Sequence, residues 1–164
     1  MTENERKVYE CLDKLNICYE SYQHKAVFTV EDADGLYMDI PGQHCKNLFL
    51  KNLKDKDMHY LLVLDDAKRA DLKKVAAQIG SSKFSFEKPE VLYNTLGLTP
   101  GSVSPFGLIN NFERDVIVLL DKSVVNGERI CFHPNINTAT VSLRVKDFLA
   151  FLEWCTNKII MVEV

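Results

Sequence analysis

Apolar positions along the chain change their period several times, and each change marks an element. Val8, Leu12 and Leu15 fall on one helical face behind Thr2 and Glu5, which form a capping-box pattern, so residues 3–15 are predicted as an amphipathic helix. Residues 17–23 alternate as a strand does. Thr29 and Asp32 can cap a short helix running toward Tyr37, and Pro41-Gly42 marks a turn. Two apolar runs, Leu48–Leu50 and Tyr60–Leu64, are separated by the charged stretch Lys51–Asp57 and read as adjacent strands, the second bounded by Asp65-Asp66.

Leu72, Val75, Ala76 and Ile79 return to helical spacing, with Gly80 at the C-cap position. Pro89 can start another short helix through Val91, Leu92 and Leu96, ended by Gly97. Strands are predicted at Val116–Leu120, Ile130–His133, Thr138–Leu143 and Ile159–Val164. In the third, Ala139, Val141 and Leu143 alternate with polar residues, a half-buried pattern. Val145, Phe148, Leu149 and Leu152 give a closing helix its stripe, with the single Trp154 packing on that helix. No repeat or linker interrupts the pattern, and no steady βαβ rhythm runs through it. The expectation is an α+β fold: a single domain over residues 1–164, with a mixed, barrel-like sheet flanked by helices.

Composition narrows the function classes. The 164 residues are 46% hydrophobic and 26% charged, ordinary values for a globular cytoplasmic protein, and the polar start of the chain does not read as a signal peptide. No apolar run approaches the roughly 20 residues of a membrane span. A net charge of −3, with scattered basic residues, argues against DNA binding and confines any RNA contact to a local one. Cys11, Cys18, Cys45, Cys131 and Cys155 are odd in number, widely spaced and without C-x-x-C, so neither a disulfide framework nor a zinc ribbon is expected. The pairs His44-Cys45 and Cys131-x-His133 lack the further ligands or the activating base that metal or thiol chemistry needs. No P-loop, H-E-x-x-H or G-x-S-x-G occurs.

Three segments carry candidate chemistry. Lys46 opens the run 46–51 and, on a strand, shares a face with Leu48 and Leu50. Its ammonium either meets an anion or a pocket, or snorkels to solvent. Residues 97–107 hold three glycines and two prolines in eleven positions, which makes a shaped loop. Its portion Gly101, Ser102, Val103, Ser104 and Pro105 can present backbone N–H groups to an oxyanion, or can be a tight connection only. His133 precedes a turn containing Asn135 and Asn137, good polar ligands that are equally ordinary turn formers.

In order along the chain, Lys46-Asn-Leu-Phe-Leu50, Leu98-Thr-Pro-Gly101 through Ile109, and Phe132-His-Pro-Asn-Ile-Asn-Thr-Ala-Thr-Val141 resemble the YbaK-type domain associated with prolyl-tRNA synthetase. The region Phe28-Thr-Val-Glu-Asp-Ala33 takes part in the resemblance, whose wording is closest to the free-standing alanyl-tRNA(Pro) deacylases. The resemblance implies hydrolysis of an aminoacyl ester without metal or cofactor. Lys46 would be the essential lysine, Asn47 its companion, Gly101–Pro105 the glycine loop, and His133 the pocket histidine. Phe28 and Val30 are expected as pocket walls. The implied partner is the acceptor end of a mischarged tRNA, with prolyl-tRNA synthetase a second candidate.

Under that resemblance Lys46 would hold the terminal phosphate or the ester oxygens, loop N–H groups would face the carbonyl, and water would attack. A pocket too small for proline would select alanine by exclusion. Cysteinyl-tRNA(Pro) editing, or a non-catalytic tRNA-binding module of the same fold, remain open alternatives at this point.

Overall fold

The computed structural model describes residues 1–26, 39–55 and 57–164. The helix expected from Thr29 and Asp32 lies outside them. Helix α1 (Glu3–Lys14) starts where the capping pattern places it: Thr2 is extended and its hydroxyl oxygen accepts from the Glu5 N–H. Val8 and Leu12 are buried, while Leu15 forms the C-cap. Glu5 is buried too, its carboxylate accepting from the Tyr9 hydroxyl at 2.9 Å and the Gln23 amide at 3.1 Å. Tyr9 also stacks on Tyr19, so α1 is fastened to strand β1 (Tyr19–Gln23) by polar and ring contacts together.

The remaining strands are β2 (Gln43–Asn52), β3 (His59–Asp65), β4 (Phe84–Phe86), β5 (Ile117–Asp121), β6 (Arg129–Phe132), β7 (Ala139–Arg144) and β8 (Ile159–Val162). They form one sheet in the order β1-β7-β6-β2-β3-β5-β8, with β4 against β2. The sheet is mixed: β2–β6, β3–β5 and β5–β8 are parallel and the other pairs antiparallel. The two expected neighbours, β2 and β3, are indeed an antiparallel pair. Strand β2 is longer than expected, starting three residues before Lys46. The extra length lets its first residues pair with β6 and its last with β4. Three-residue β4 is too short to show a period, which is why the sequence does not announce it.

One face of β7, β6, β2, β3 and β5 turns toward a common core through Val141, Leu143, Ile130, Phe132, Phe49, Leu61, Val63, Val118 and Leu120. Strands from both halves of the sheet thus wrap a single interior, the barrel-like arrangement expected. That interior is closed by α1, by α3 (Pro89–Leu96), by a 3-10 turn at Pro105–Asn110 and by α4 (Val145–Cys155). Phe106 meets Phe132 and Phe151 edge-on, centroids 5.9 and 5.3 Å apart. On the opposite face, Tyr60, Leu62, Leu64 and Leu119 pack with Val75 and Ala76 of α2 (Leu72–Gln78). Strand β3 is therefore buried on both sides, and it reads as a continuous apolar run for that reason. Each fully buried leucine there contributes about 1.5–3 kcal/mol.

Two expectations change. Strand β7 is not half-solvated: Thr140 and Ser142 are buried, Thr140 Oγ1 bonding His24 Nε2 at 2.9 Å and Ser142 meeting the chain at Pro41, whose carbonyl accepts from Ser142 Oγ and Cys131 Sγ. Arg129 donates to Ser142 Oγ as well. In α4 the buried stripe is Val145, Phe148, Phe151, Leu152 and Cys155, whereas Leu149 is exposed, one residue round the helix from the core. Trp154 is partly exposed beneath the Arg114 guanidinium, 5.4 Å from the ring centroid. No helix among the described residues is long and apolar enough to cross a membrane.

Candidate functional site

The polar site grows from the N-terminal end of β2. Antiparallel register sets Lys46 opposite Leu64 and Asn47 opposite Val63. Asn47 shares its face with Phe49 and looks to the wrapped core, while Lys46 shares a face with Leu48 and Leu50, which pack on the second core. Both residues nevertheless form part of one cavity of about 190 Å³, together with Cys45, Asp66, Gly101, Val103 and His133. Lys46 is half-buried and makes no ion pair among the described residues. Asn47 donates from Nδ2 to the Val103 carbonyl at 3.2 Å, and its Oδ1 is buried with no hydrogen-bond partner.

Local chain chemistry builds the opposite wall. Gly97 ends α3 in the left-handed region and Gly101 turns the chain again at φ 89°. Ser104 then caps the 3-10 turn, its hydroxyl accepting from the Phe106 N–H, with Pro105 in the first turn. Ser104 and Pro105 are buried behind the cavity, and Ser102 spends its N–H on the Thr99 carbonyl. Proline has no N–H at all. Of the five loop residues singled out, Gly101 and Val103 reach the cavity, so the candidate oxyanion donors narrow to those two N–H groups.

His133 follows β6, and its Nδ1 bonds the Ala139 carbonyl at 2.9 Å. Carbonyl oxygen cannot donate, so Nδ1 carries the proton, and Nε2 of the neutral ring is an acceptor. Burial pushes the imidazole below its ordinary value, against the pull of that carbonyl bond, and His24 and His44 nearby add to the drop. Asn137 of the same turn lies against Gly101, its Nδ2 3.9 Å from where a β-carbon would stand.

Asp66, absent from the sequence-derived set, sits in the turn after β3, with its N–H donating to the His44 carbonyl at 3.0 Å. The turn is pinned from below: Lys68 donates to both Asp121 oxygens at 3.0 and 3.2 Å and to Ser123 Oγ at 2.9 Å. Burial raises the Asp121 carboxyl, but the Lys68 and Ser123 bonds outweigh it and hold the group below the usual carboxylate range. Larger hollows exist, such as one of about 590 Å³ beside α2 and β4, but that one is lined by Leu72, Lys73, Ala76, Ala77, Ser81, Lys83 and Phe84, without a comparable set of acceptors and cation.

Residues 24–151 match the family described as the aminoacyl-tRNA editing domain. The chain belongs to that family. All seven cavity residues fall within the matched span. Among similar proteins, the prolyl-tRNA editing protein ProX of Acetoanaerobium sticklandii is 40% identical over 136 residues, covering 83% of this chain and 82% of its own. The prolyl-tRNA synthetase associated domain-containing protein 1 of Bos taurus is 34% identical over 146 residues, 87% of this chain and 84% of that one. A crystal structure described as a candidate trans-editing enzyme for prolyl tRNA synthetase superposes with a TM-score of 0.75 at 18% identity, covering 99% and 97% of the two chains, which shows a shared fold.

Within this editing-domain cavity the sole thiol is Cys45. Burial, reinforced by Cys131, Asp65 and Asp66, pushes it far above the range in which a thiolate forms. Cys131 is likewise pushed up to about 11 by burial. Neither is placed to act as a nucleophile. No group of three or more His, Cys, Asp or Glu among the described residues is placed to hold a metal. Phe28 and Val30, the expected pocket walls, lie outside the described residues.

Proposed function

We propose that this protein, acting through one unit spanning residues 1–164, is a cytoplasmic trans-editing hydrolase that cleaves the ester of mischarged tRNA(Pro), with alanyl-tRNA(Pro) as its substrate. The carrying observation is the meeting of Lys46, Asn47, Gly101, Val103 and His133 around one small cavity in a chain of the aminoacyl-tRNA editing family. Lys46, which makes no ion pair among the described residues, binds the phosphate of the terminal nucleotide and sets the ester over the cavity. The N–H groups of Gly101 and Val103 face the carbonyl oxygen as it gains charge. Water attacks the carbonyl carbon and the ribose oxygen leaves; His133 Nε2, an acceptor in the neutral ring, holds that water or the neighbouring 2′-hydroxyl. The reaction needs no cofactor.

Selection for alanine follows from size. A side-chain pocket bounded by Val103, for which we propose Phe28 and Val30 as further walls, would admit a methyl group and turn away a pyrrolidine ring. The name of the Bos taurus relative connects that protein with prolyl-tRNA synthetase, and we propose that enzyme as a partner that hands over the charged acceptor end. Parallel deacylation of alanyl-, cysteinyl- and prolyl-tRNA(Pro) tests the reading. The alanyl ester should be cleaved fastest and the prolyl ester spared; a faster cysteinyl rate reassigns the substrate, and prolyl cleavage removes the size sieve. Replacing the terminal adenosine by its 2′-deoxy form should stop turnover, and undiminished cleavage leaves the 2′-hydroxyl no role.

A further inference from the structure

The Asn47 side chain is only half used. With Nδ2 given to the Val103 carbonyl, the amide cannot be turned round without setting two oxygens against each other, so Oδ1 is fixed as a buried acceptor that lacks a donor. Asp66 lines the same cavity, and its carboxylate makes no ion pair among the described residues. Lys68, two positions away, is committed to Asp121 and Ser123. Lys46 completes the set as a cation that makes no ion pair among the described residues. Among the described residues, a cavity lined by a cation and an anion that form no ion pair, beside a buried acceptor without a donor, fits a ligand that carries both charges and several donors.

An aminoacyl ester at the end of an RNA is such a ligand: phosphate at one side, a protonated α-amino group with three N–H donors at the other. We infer that Asn47 Oδ1 and the Asp66 carboxylate together bind the α-ammonium of the substrate, so that the site recognises a free-amine aminoacyl ester and not an acyl ester in general. The inference rests on the editing reading and adds its polar recognition element. It also makes Asn47 a link between two selections, since the amide that meets the ammonium holds Val103, a wall of the side-chain pocket, in place.

The test compares alanyl-tRNA(Pro) with lactyl-tRNA(Pro), in which a hydroxyl of similar size replaces the ammonium. Each enzymatic rate is divided by the spontaneous hydrolysis of the same ester, and both are measured with wild type and Asp66→Asn. Wild type should favour the alanyl ester by about tenfold or more, the scale of a hydrogen bond to a charged group. Asp66→Asn should lower kcat/KM for the alanyl ester, chiefly through KM, and leave the lactyl rate within about threefold, so that the preference collapses. Equal wild-type acceleration of both esters overturns the subsite while leaving the editing reading intact. So does a variant that loses both rates in parallel, the sign of a merely structural aspartate. A wild type that cleaves neither ester defeats the editing reading and the subsite with it.

Discussion

Two lysine–aspartate sets stand close together at one end of the interior strands β2, β3 and β5. Lys68 and Asp121 are closed on each other at 3.0 Å, with Ser123 supplying two further bonds, and the carboxylate is 1% exposed. Lys46 and Asp66 share a cavity wall without forming an ion pair, beside an Asn47 oxygen that has no donor. Buried polar groups are ordinarily satisfied because leaving one unpaired costs about 1–3 kcal/mol. The first set obeys that rule and anchors a turn. The second departs from it at the buried Asn47 oxygen, between a half-buried Lys46 and Asp66 that form no ion pair among the described residues, where a ligand can make up the difference.

The sharpest way to break this contrast is to remove one cation from each set. Lys46→Ala should cost at least about a hundredfold in deacylation rate, as loss of the group that positions the ester does, while shifting unfolding free energy by less than about 1 kcal/mol. An unchanged rate would place the chemistry elsewhere and return Lys46 to an ordinary snorkelling lysine. The closed set should respond the other way. Asp121→Asn should lose about 1.5–3 kcal/mol in urea denaturation at neutral pH, with rate falling only as far as the loosened Asp66 turn allows. Because the folded Asp121 carboxyl is depressed, its contribution is full above the unfolded value near 4 and is lost as pH falls through the folded one. The variant should therefore lack part of the wild type's acid-side loss.

The same contrast explains what the sequence could and could not say. Elements on which burial imposes a pattern are legible: a helical period in α1 and unbroken apolar runs in the β2–β3 pair. Lys46 stood out as a cation at the edge of an apolar run. Asp66 did not, since it read as the punctuation of a strand. The signal was present in the hairpin: pairing Lys46 with Leu64 brings residue 66 beside His44, and its N–H does bond the His44 carbonyl. The roles of Ser104 and Pro105 were hidden for a different reason. A cap and a first-turn proline look the same in sequence whether they face a cavity or support its wall from behind. Thr140 and Ser142 misled because a strand face crossed by another segment can be polar and still dry.

A smaller effect comes from the histidines near the cavity. His133 and His44 are both pushed below the ordinary value near 6.5, with burial the leading cause. Below that value the unfolded chain binds protons that the folded one refuses, so stability is full above about 6.5 and falls as pH drops toward the folded value. One such histidine contributes a slope of at most about 1.4 kcal/mol per pH unit. His133→Asn, which can still donate to the Ala139 carbonyl, should flatten the stability profile between pH 6.5 and the folded value. A profile identical to wild type would mean that the ring protonates as freely folded as unfolded.

The smallest expected effect concerns the remaining heteroatom in the cavity, and its smallness is informative. Cys45 lines the site and would be the natural nucleophile if position alone decided chemistry. Its environment decides otherwise, because burial and the surrounding anions disfavour the thiolate while its Sγ donates, at most weakly at 3.7 Å, to the Gln43 carbonyl. Cys45→Ala should accordingly keep the deacylation rate within about threefold, and iodoacetamide at neutral pH should label wild type there far more slowly than exposed Cys18. Fast labelling at Cys45, or a loss as large as that of Lys46→Ala, would transfer the nucleophile's role from water to sulfur. The unmatched groups of the open set would then be read as orienting a substrate for covalent attack.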